Sequence, residues 1–230
     1  MTSEKRVVFL LDIDDTLLDN DTAQDDYLEH LTKNFGAQAA QRYWAIFQEL
    51  FHELGYADYL GALQRYRLEH LHDPRLFMMS CFLLDYPFGD RLYPRALEVL
   101  KHLQQFGLTV VLSDGDVVFQ PRKVQRSGIR DAVEGHVLIY VHKEIELSDV
   151  ERFYPAERYV LVNDKLRVLT AVKQIWGGRV TTVQSRQGHY ANDPKAQAAY
   201  PPADITIDRI GDLLNYDMSA LLALKSGHDR

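Results

Sequence analysis

Short apolar runs separated by stretches of helical periodicity constrain this chain more than any other feature of its sequence. Val7 to Leu11, Leu108 to Leu112, His136 to Val141, Tyr159 to Val162 and Val180 to Val183 read as strands, with a weaker sixth at Ile205 to Ile207. The stronger runs are rich in Val, Leu and Ile and scarcely interrupted, as in strands buried on both faces. Between them, Pro94 to Phe106 carries Leu97, Leu100 and Leu103 on one stripe and stops at Gly107. Leu166 to Trp176 stops at Gly177-Gly178. Strands alternating with helices predict an α/β fold, a parallel sheet with right-handed crossovers.

One interval breaks the alternation. From the first strand to the Pro94 helix, about eighty residues have almost pure helical patterning. Asp21 or Thr22 is placed to cap a helix running to about Phe35, with Gly36 as its stop. Ala37 to Leu54, Ala57 to Leu71 and Arg75 to Leu84 follow. A structureless loop of that length is improbable, so residues 20–90 are expected to form a helical subdomain inserted into the α/β core.

A chain of 230 residues suffices for one such core with an insert. Hydrophobic residues at 46% and charged residues at 26% are ordinary for a soluble protein, and no run approaches the roughly 18 apolar residues of a membrane span. Met1 to Arg6 lead straight into the first apolar run without a signal-peptide layout, so a cytoplasmic protein is expected. The single cysteine, Cys81, permits no intrachain disulfide and is expected as a buried small hydrophobe. A net charge of −7, from 26 basic and 33 acidic residues, disfavours nucleic acid as a partner but allows a small phosphorylated substrate at a locally cationic site. Nothing in the sequence assigns an oligomeric state.

The sharpest chemical signal is Asp12-Ile13-Asp14-Asp15-Thr16 at the end of the first apolar run. Asp12 and Asp14 point the same way if strand geometry continues, at the edge where open α/β sheets bind ligands. Carboxylates crowded there call for a cation, and Mg2+ fits best, since it takes a few carboxylates and leaves places for water and phosphate. An isolated Asp-x-Asp is more often a solvated turn. Three later residues weigh against that. Ser113 ends the second strand, in Ser113-Asp114-Gly115, where its hydroxyl and the N–H groups of the turn can hold phosphate oxygens. Lys143 follows the third strand and can neutralise both phosphate and carboxylates, and Asp164 ends the fourth and can supply a further metal carboxylate.

With these residues in order, the chain resembles the haloacid-dehalogenase superfamily of hydrolases. Asp12-Ile13-Asp14-Asp15-Thr16 matches the first motif, Asp-x-Asp-x-Thr; Ser113 matches the second, Lys143 the third and Asp164 the acidic fourth, over about residues 6 to 190. The resemblance implies a Rossmann-like core holding Mg2+, with Asp12, Asp14 and Asp164 around the metal. It implies Asp12 as nucleophile, Asp14 as general acid/base, Lys143 as the catalytic cation, and Thr16, Ser113, Asp114 and Gly115 around the phosphate. The insert becomes a mobile cap of residues 20–90 on a core of residues 1–19 and 91–230. An aspartyl phosphate would split one difficult displacement into two easier ones. Two departures stand out: Asn163 and Val168 occupy places where a second fourth-motif carboxylate often stands, and Glu144 follows Lys143 where many capped members have Lys-Pro, which leaves Lys165 as the alternative cation.

The expected activity is therefore Mg2+-dependent hydrolysis of a small phosphorylated metabolite. Dehalogenases of the superfamily resemble the same pattern but lack the acid two residues after the nucleophile, because a halide needs no protonation; Asp14 favours phosphate. A mutase, or a phosphate-binding module without turnover, remains as an alternative. Among weaker features, the Arg65–His72 stretch reads as a solvated helix face and Tyr43, Trp44, Phe47 and Phe51 as packing of the insert. Arg122-Lys123 divides evenly between substrate contact and surface, and His189 reads as a loop histidine near the same edge.

Overall fold

Along the first strand, β1 (Val7–Leu11), Val8 and Leu10 enter one apolar cluster and Phe9 and Leu11 another, on the opposite face of the sheet. Both faces are therefore covered, and the chain must supply helices to two sides. The computed structural model describes residues 7–222, and in chain order the insert contributes α1 (Asn20–Phe35), α2 (Ala37–Leu54), α3 (Tyr59–Glu69) and α4 (Leu76–Asp85). Then come α5 (Ala96–Leu103), β2 (Leu108–Asp114), α6 (Phe119–Arg126), α7 (Ile129–Ala132), β3 (Val137–Tyr140), α8 (Leu147–Phe153) and β4 (Arg158–Asn163). The described residues finish with α9 (Leu166–Trp176), β5 (Val180–Ser185), α10 (Gly188–Asn192), α11 (Pro194–Ala198), β6 (Ile205–Ile207) and α12 (Met218–Leu222). Met1 to Arg6, from which the localisation expectation came, lie outside the described residues.

The six strands form one parallel sheet in the order β3-β2-β1-β4-β5-β6, a Rossmann-like α/β arrangement. Leu10 pairs with Val110 on one side and Leu161 on the other. The chain leaves β1 in one direction for β2 and β3 and returns on the other side for β4, so a crevice opens at the C-terminal ends of β1 and β4. Leu147, Val150, Leu169 and Val172 of α8 and α9 cover one face, and Val99, Leu100 and Leu103 of α5 cover the other. β2 and β5 run beyond their apolar residues to Asp114 and Ser185, because Asp114 pairs with Tyr140 and Ser185 with Ile207. Strand length follows the backbone ladder of the neighbour, not side-chain apolarity.

Four helices and no strand occupy residues 20–85. The cap of α1 is Asp19, whose Oδ1 accepts from the Thr22 N–H at 2.9 Å, and not Asp21 or Thr22 as expected. Asp21 is drawn off instead to His189. Tyr43 is fully buried and donates to the Tyr59 carbonyl at 2.9 Å, inside the insert. The two crossings between sheet and insert run side by side, with the Asp19 N–H on the Arg91 carbonyl at 2.8 Å and the Tyr93 N–H on the Leu17 carbonyl at 2.9 Å. Arg122 Nε donates to the Leu84 carbonyl at 3.0 Å and Arg126 Nη2 to that of Asp85 at 2.8 Å, cations set on the C-terminal end of α4. Tyr59 of the insert meets Phe119 of the core with ring centroids 5.0 Å apart. Cys81 is only partly buried, because α4 is apolar on all sides and turns Phe77 and Met78 outward. No helix among the described residues is long and apolar enough to cross a membrane.

Gly107, which ends the α5 segment, also sits against β1: a Cβ there would lie 2.5 Å from the Val7 carbonyl oxygen. Gly107→Ala is expected to cost about 1–3 kcal/mol of stability through backbone displacement. A urea midpoint equal to that of the wild type would contradict this.

Candidate active site

β1 stops at Leu11, and the chain turns at once. The N–H groups of Thr16, Leu17 and Leu18 converge on the Ile13 carbonyl at 3.2, 2.9 and 3.0 Å, and Asp15 adopts φ 56°. Strand geometry does not continue through the motif, so Asp12 and Asp14 take different partners. Asp12 is buried: Oδ1 lies 2.6 Å from Lys143 Nζ and accepts from the Ile13 N–H at 2.8 Å, and Oδ2 accepts from Asn163 Nδ2 at 2.9 Å. Asp14 turns toward α6, with Oδ1 2.6 Å from Lys123 Nζ and Oδ2 3.2 Å from Gln120 Nε2. Thr16 is buried and its hydroxyl has no hydrogen-bond partner.

The turn after β2 supplies the next group. Asp114 Oδ1 accepts the Lys143 N–H at 2.7 Å, which seats the 3-10 turn Lys143–Ile145 against the end of β2. Lys143 Nζ also reaches the Leu112 carbonyl at 3.3 Å and lies 3.9 Å from Asp114 Oδ2. Burial raises the Asp114 carboxyl despite the neighbouring Lys143 ammonium. Ser113 Oγ accepts from Gln120 Nε2 at 2.9 Å. The Gly115 N–H, expected to face phosphate, donates to the Tyr140 carbonyl at 2.9 Å and is engaged in the extension of the ladder. Gly115 serves closeness instead: at φ 152° it lets Gln120 approach, whose Cβ would lie 2.8 Å from any Cβ built there.

Asp164 follows β4, fully buried, and neither side-chain oxygen has a hydrogen-bond partner. Burial pushes its carboxyl up to about 8, and the nearby Asp12 adds to the effect. Two orphaned carboxylate oxygens near the Asp12 carboxylate fit a hard divalent cation, which would satisfy both and offset the crowded charge. Among the described residues, one group of three carboxylate and imidazole ligand atoms lies mutually within 4.8 Å, that of Asp15, Asp21 and His189. That group is already self-satisfied: Asp15 Oδ1 accepts the Asn20 and Asp21 N–H groups at 3.0 and 3.2 Å, and Asp21 holds the His189 N–H and Nδ1. Burial, with Asp21 and Asp14 adding, takes the Asp15 carboxyl up to about 7, while its bond to Asp21 raises His189. The unsatisfied Asp164 is the better mark of a cation position. Val168 faces the core under α9 and offers nothing to a metal; Asn163 acts as a donor to Asp12.

A cleft of about 870 Å3 opens between the sheet edge and α2. Asp14, Asp114, Gly115 and Lys165 line its core side, and Trp44, Phe47 and Phe51 line its insert side, so these three aromatics do more than pack the insert. Burial would lower Lys165, but Asp164 and Asp12 outweigh it and hold the ammonium above its ordinary range. Its Nζ lies 4.6 Å from the Tyr190 ring centroid, whereas Lys143 alone of the two pairs directly with Asp12. Arg65 pairs with Glu53 on the exposed side of the insert, as a solvated face should. Sequence reasoning missed Gln120 and left Lys123 evenly divided between substrate contact and surface. Phe119, Gln120, Lys123 and Val124 form the buried stripe of α6, and a lysine on such a stripe was the available signal.

A family model of haloacid dehalogenase-like hydrolases matches residues 7–175. A protein of Burkholderia xenovorans LB400 described as a haloacid dehalogenase-like hydrolase is 60% identical, matches over 93% of this chain and 99% of its own, and superposes with a TM-score of 0.89. A HAD-hydrolase of Bacillus subtilis bound to magnesium is 16% identical over 93% of this chain and 100% of its own, with a TM-score of 0.60. The L-2-haloacid dehalogenase of Xanthobacter autotrophicus with chloropropionic acid covalently bound is 18% identical over 90% of this chain and 96% of its own, with a TM-score of 0.59. The last two are likenesses of fold. No curated protein matches the chain.

A buried carboxyl raised from 3.8 to about 8 keeps its proton where the unfolded chain has lost it, so in chelator-treated protein it imposes a stability cost that grows as pH rises through this window. A bound cation removes it. Mg2+ is therefore expected to raise the melting temperature of chelator-treated protein more at pH 8 than at pH 6. An equal shift at both values would contradict the assignment of Asp164.

Proposed function

The chain belongs to the haloacid dehalogenase-like hydrolases, and on that premise we propose that it is a Mg2+-dependent phosphohydrolase of small phosphate esters, acting through an aspartyl phosphate on Asp12. The observation that carries this reading is Asp14. It lines the cleft two residues after Asp12, with its own pair of partners, where departure of an alkoxide needs a proton and departure of a halide does not.

Asp12, Asp164 and the main-chain carbonyl of Asp14 would hold Mg2+. When bound, the ion supplies positive charge to the phosphate oxygens. Asp12 attacks phosphorus, oriented by Asn163 and by Lys143, whose ammonium also stabilises the transferring charge. The Ser113 hydroxyl donates to a phosphate oxygen in place of its 3.3 Å contact with the Asp114 carbonyl. Asp14 protonates the leaving oxygen and later takes a proton from the water that attacks phosphorus, which breaks the bond to Asp12 and releases inorganic phosphate. In the same reading residues 20–90 are the cap, set on a core of residues 1–19 and 91–230, of which residues 1–6 and 223–230 lie outside the described residues. The cap excludes bulk water while substrate is bound and carries the aromatic wall that meets the alcohol portion.

Purified protein assayed against a panel of small phosphate esters and 2-haloacids is expected to release inorganic phosphate with Mg2+, to lose that activity in excess chelator, and to release no halide. Halide release without phosphate release would make the protein a dehalogenase. Lys143→Ala is expected to lower kcat on the order of a hundredfold, as for loss of one preorganised charge-stabilising group. Near-normal turnover by Lys143→Ala beside an inactive Lys165→Ala would move the role to Lys165.

A further inference from the structure

Gln120 and Lys123 lie three residues apart on the buried side of α6 and take one oxygen of Asp14 each, at 3.2 and 2.6 Å. Lys123 is 1% exposed. Its ammonium also donates to Asn20 Oδ1 at 2.9 Å and sits 5.3 and 5.8 Å from the ring centroids of Phe119 and Phe88. A desolvated ammonium persists only where a counter-charge and acceptors replace water. That counter-charge here is a cleft-lining carboxylate, the one assigned above as acid and base.

We propose that Lys123, assisted by Gln120, is the positioning residue of Asp14: it fixes the carboxylate at the cleft wall and, through Asn20, ties that position to the first turn of α1 and so to the seating of the insert. The proposal rests on the reading of Asp14 as acid and base. Asp14 lies three residues past the end of β1, in an isolated bridge with Leu18 and outside the ladder of the sheet, so its carboxylate takes its position from the side chains of α6. With Lys123 gone, only the longer Gln120 contact would remain. A displacement of about 1 Å at a reacting group is enough to cost on the order of a hundredfold in rate. Lys123 acts through Asp14, since its ammonium is spent on Asp14, Asn20 and two ring faces. Gln120 has a second duty, because the same Nε2 reaches Ser113 Oγ, so α6 aligns the acid with the second motif.

The test is Lys123→Met, which keeps length and apolar bulk among the aromatic rings and removes the charge. Phosphate release with Mg2+ is measured on p-nitrophenyl phosphate, whose leaving group needs little protonation, and on an alkyl monophosphate, whose leaving group needs it. The loss of kcat is expected to be at least about tenfold greater on the alkyl ester, with KM little changed. Equal losses on both, or a change confined to KM, would overturn the proposal. A double-mutant cycle by urea denaturation reads the same pairing without catalysis: Asp14→Asn, Lys123→Met and the double variant. Asp14→Asn strands a buried ammonium, so the double variant is expected to be more stable than the two single losses predict. Additive losses would overturn the proposal. If wild-type protein releases phosphate from no ester, the phosphohydrolase reading falls, and the cycle alone decides whether Lys123 holds Asp14.

Discussion

Lys143 carries an ammonium into a position where almost no water reaches it, 2.6 Å from the Asp12 carboxylate. Neither group is tolerable there without the other, because the desolvation cost of a lone ion exceeds what packing returns. The pair spans two non-adjacent parts of the sheet edge: Asp12 leaves β1, Lys143 leaves β3, and β2 stands between them in the order β3-β2-β1. The contacts of Lys143 with the Leu112 carbonyl and Asp114 close that gap through β2 itself. On the other side Asn163 brings β4 to Asp12. Four strand ends are thus tied to one carboxylate, and the positions of Ser113 and Asp164 follow from the same register. Asp164 stands outside these ties: burial raises its carboxyl, and neither of its oxygens has a hydrogen-bond partner.

The insert is joined to this edge more firmly than two chain crossings would require. One apolar cluster runs from the α5 face of the sheet into α1, α2, α3 and α4, so insert and core share buried surface. Arg122 and Arg126 hold the end of α4, Arg91 pairs with Asp26 beside Tyr86, and Asp21 joins His189 on α10. At the far rim the end of α2 lies against the core, since a Cβ on Gly55 would meet the His142 ring at 2.7 Å. Between these ties lies the cleft, with acids and lysines on one wall and aromatic rings on the other. On the proposed reading the substrate presents its phosphate to the sheet edge and its apolar portion to α2.

The apolar runs alone placed the six strands, most plainly β1, β2, β4 and β5, because strands buried on both faces cannot hide their composition; β3 and β6 are only partly buried. The helices at Ala37–Leu54 and Leu166–Trp176 were legible to the residue, each bounded by a glycine with positive φ at its C-terminus. The candidate site residues were legible as types and order: Asp12, Asp14, Ser113, Lys143 and Asp164 all fall at or just past C-terminal strand edges. Their partners were not. That Asp12 faces Lys143 while Asp14 faces Lys123 depends on a turn at Ile13 to Leu18 that ends strand alternation. Lys123 read as an even choice between substrate contact and surface because its burial comes from Phe88 and Phe119, which are distant from each other in the chain. Asn163 read as a missing carboxylate, and the fold makes it a hydrogen-bond donor to Asp12.

The sequence by itself determined the α/β class, the parallel sheet, the helical insert and the set of acids and cations at the sheet edge, since periodicity and order along the chain are local properties. Only the tertiary structure decided which acid meets which cation, which glycine N–H is engaged, and which carboxylate is left bare. Those outcomes depend on desolvation and on distances between residues more than a hundred positions apart, as with Lys123 and Asp14 or Asn163 and Asp12. Burial is a property of the folded whole, and a charge changes its chemistry only when the whole removes its water.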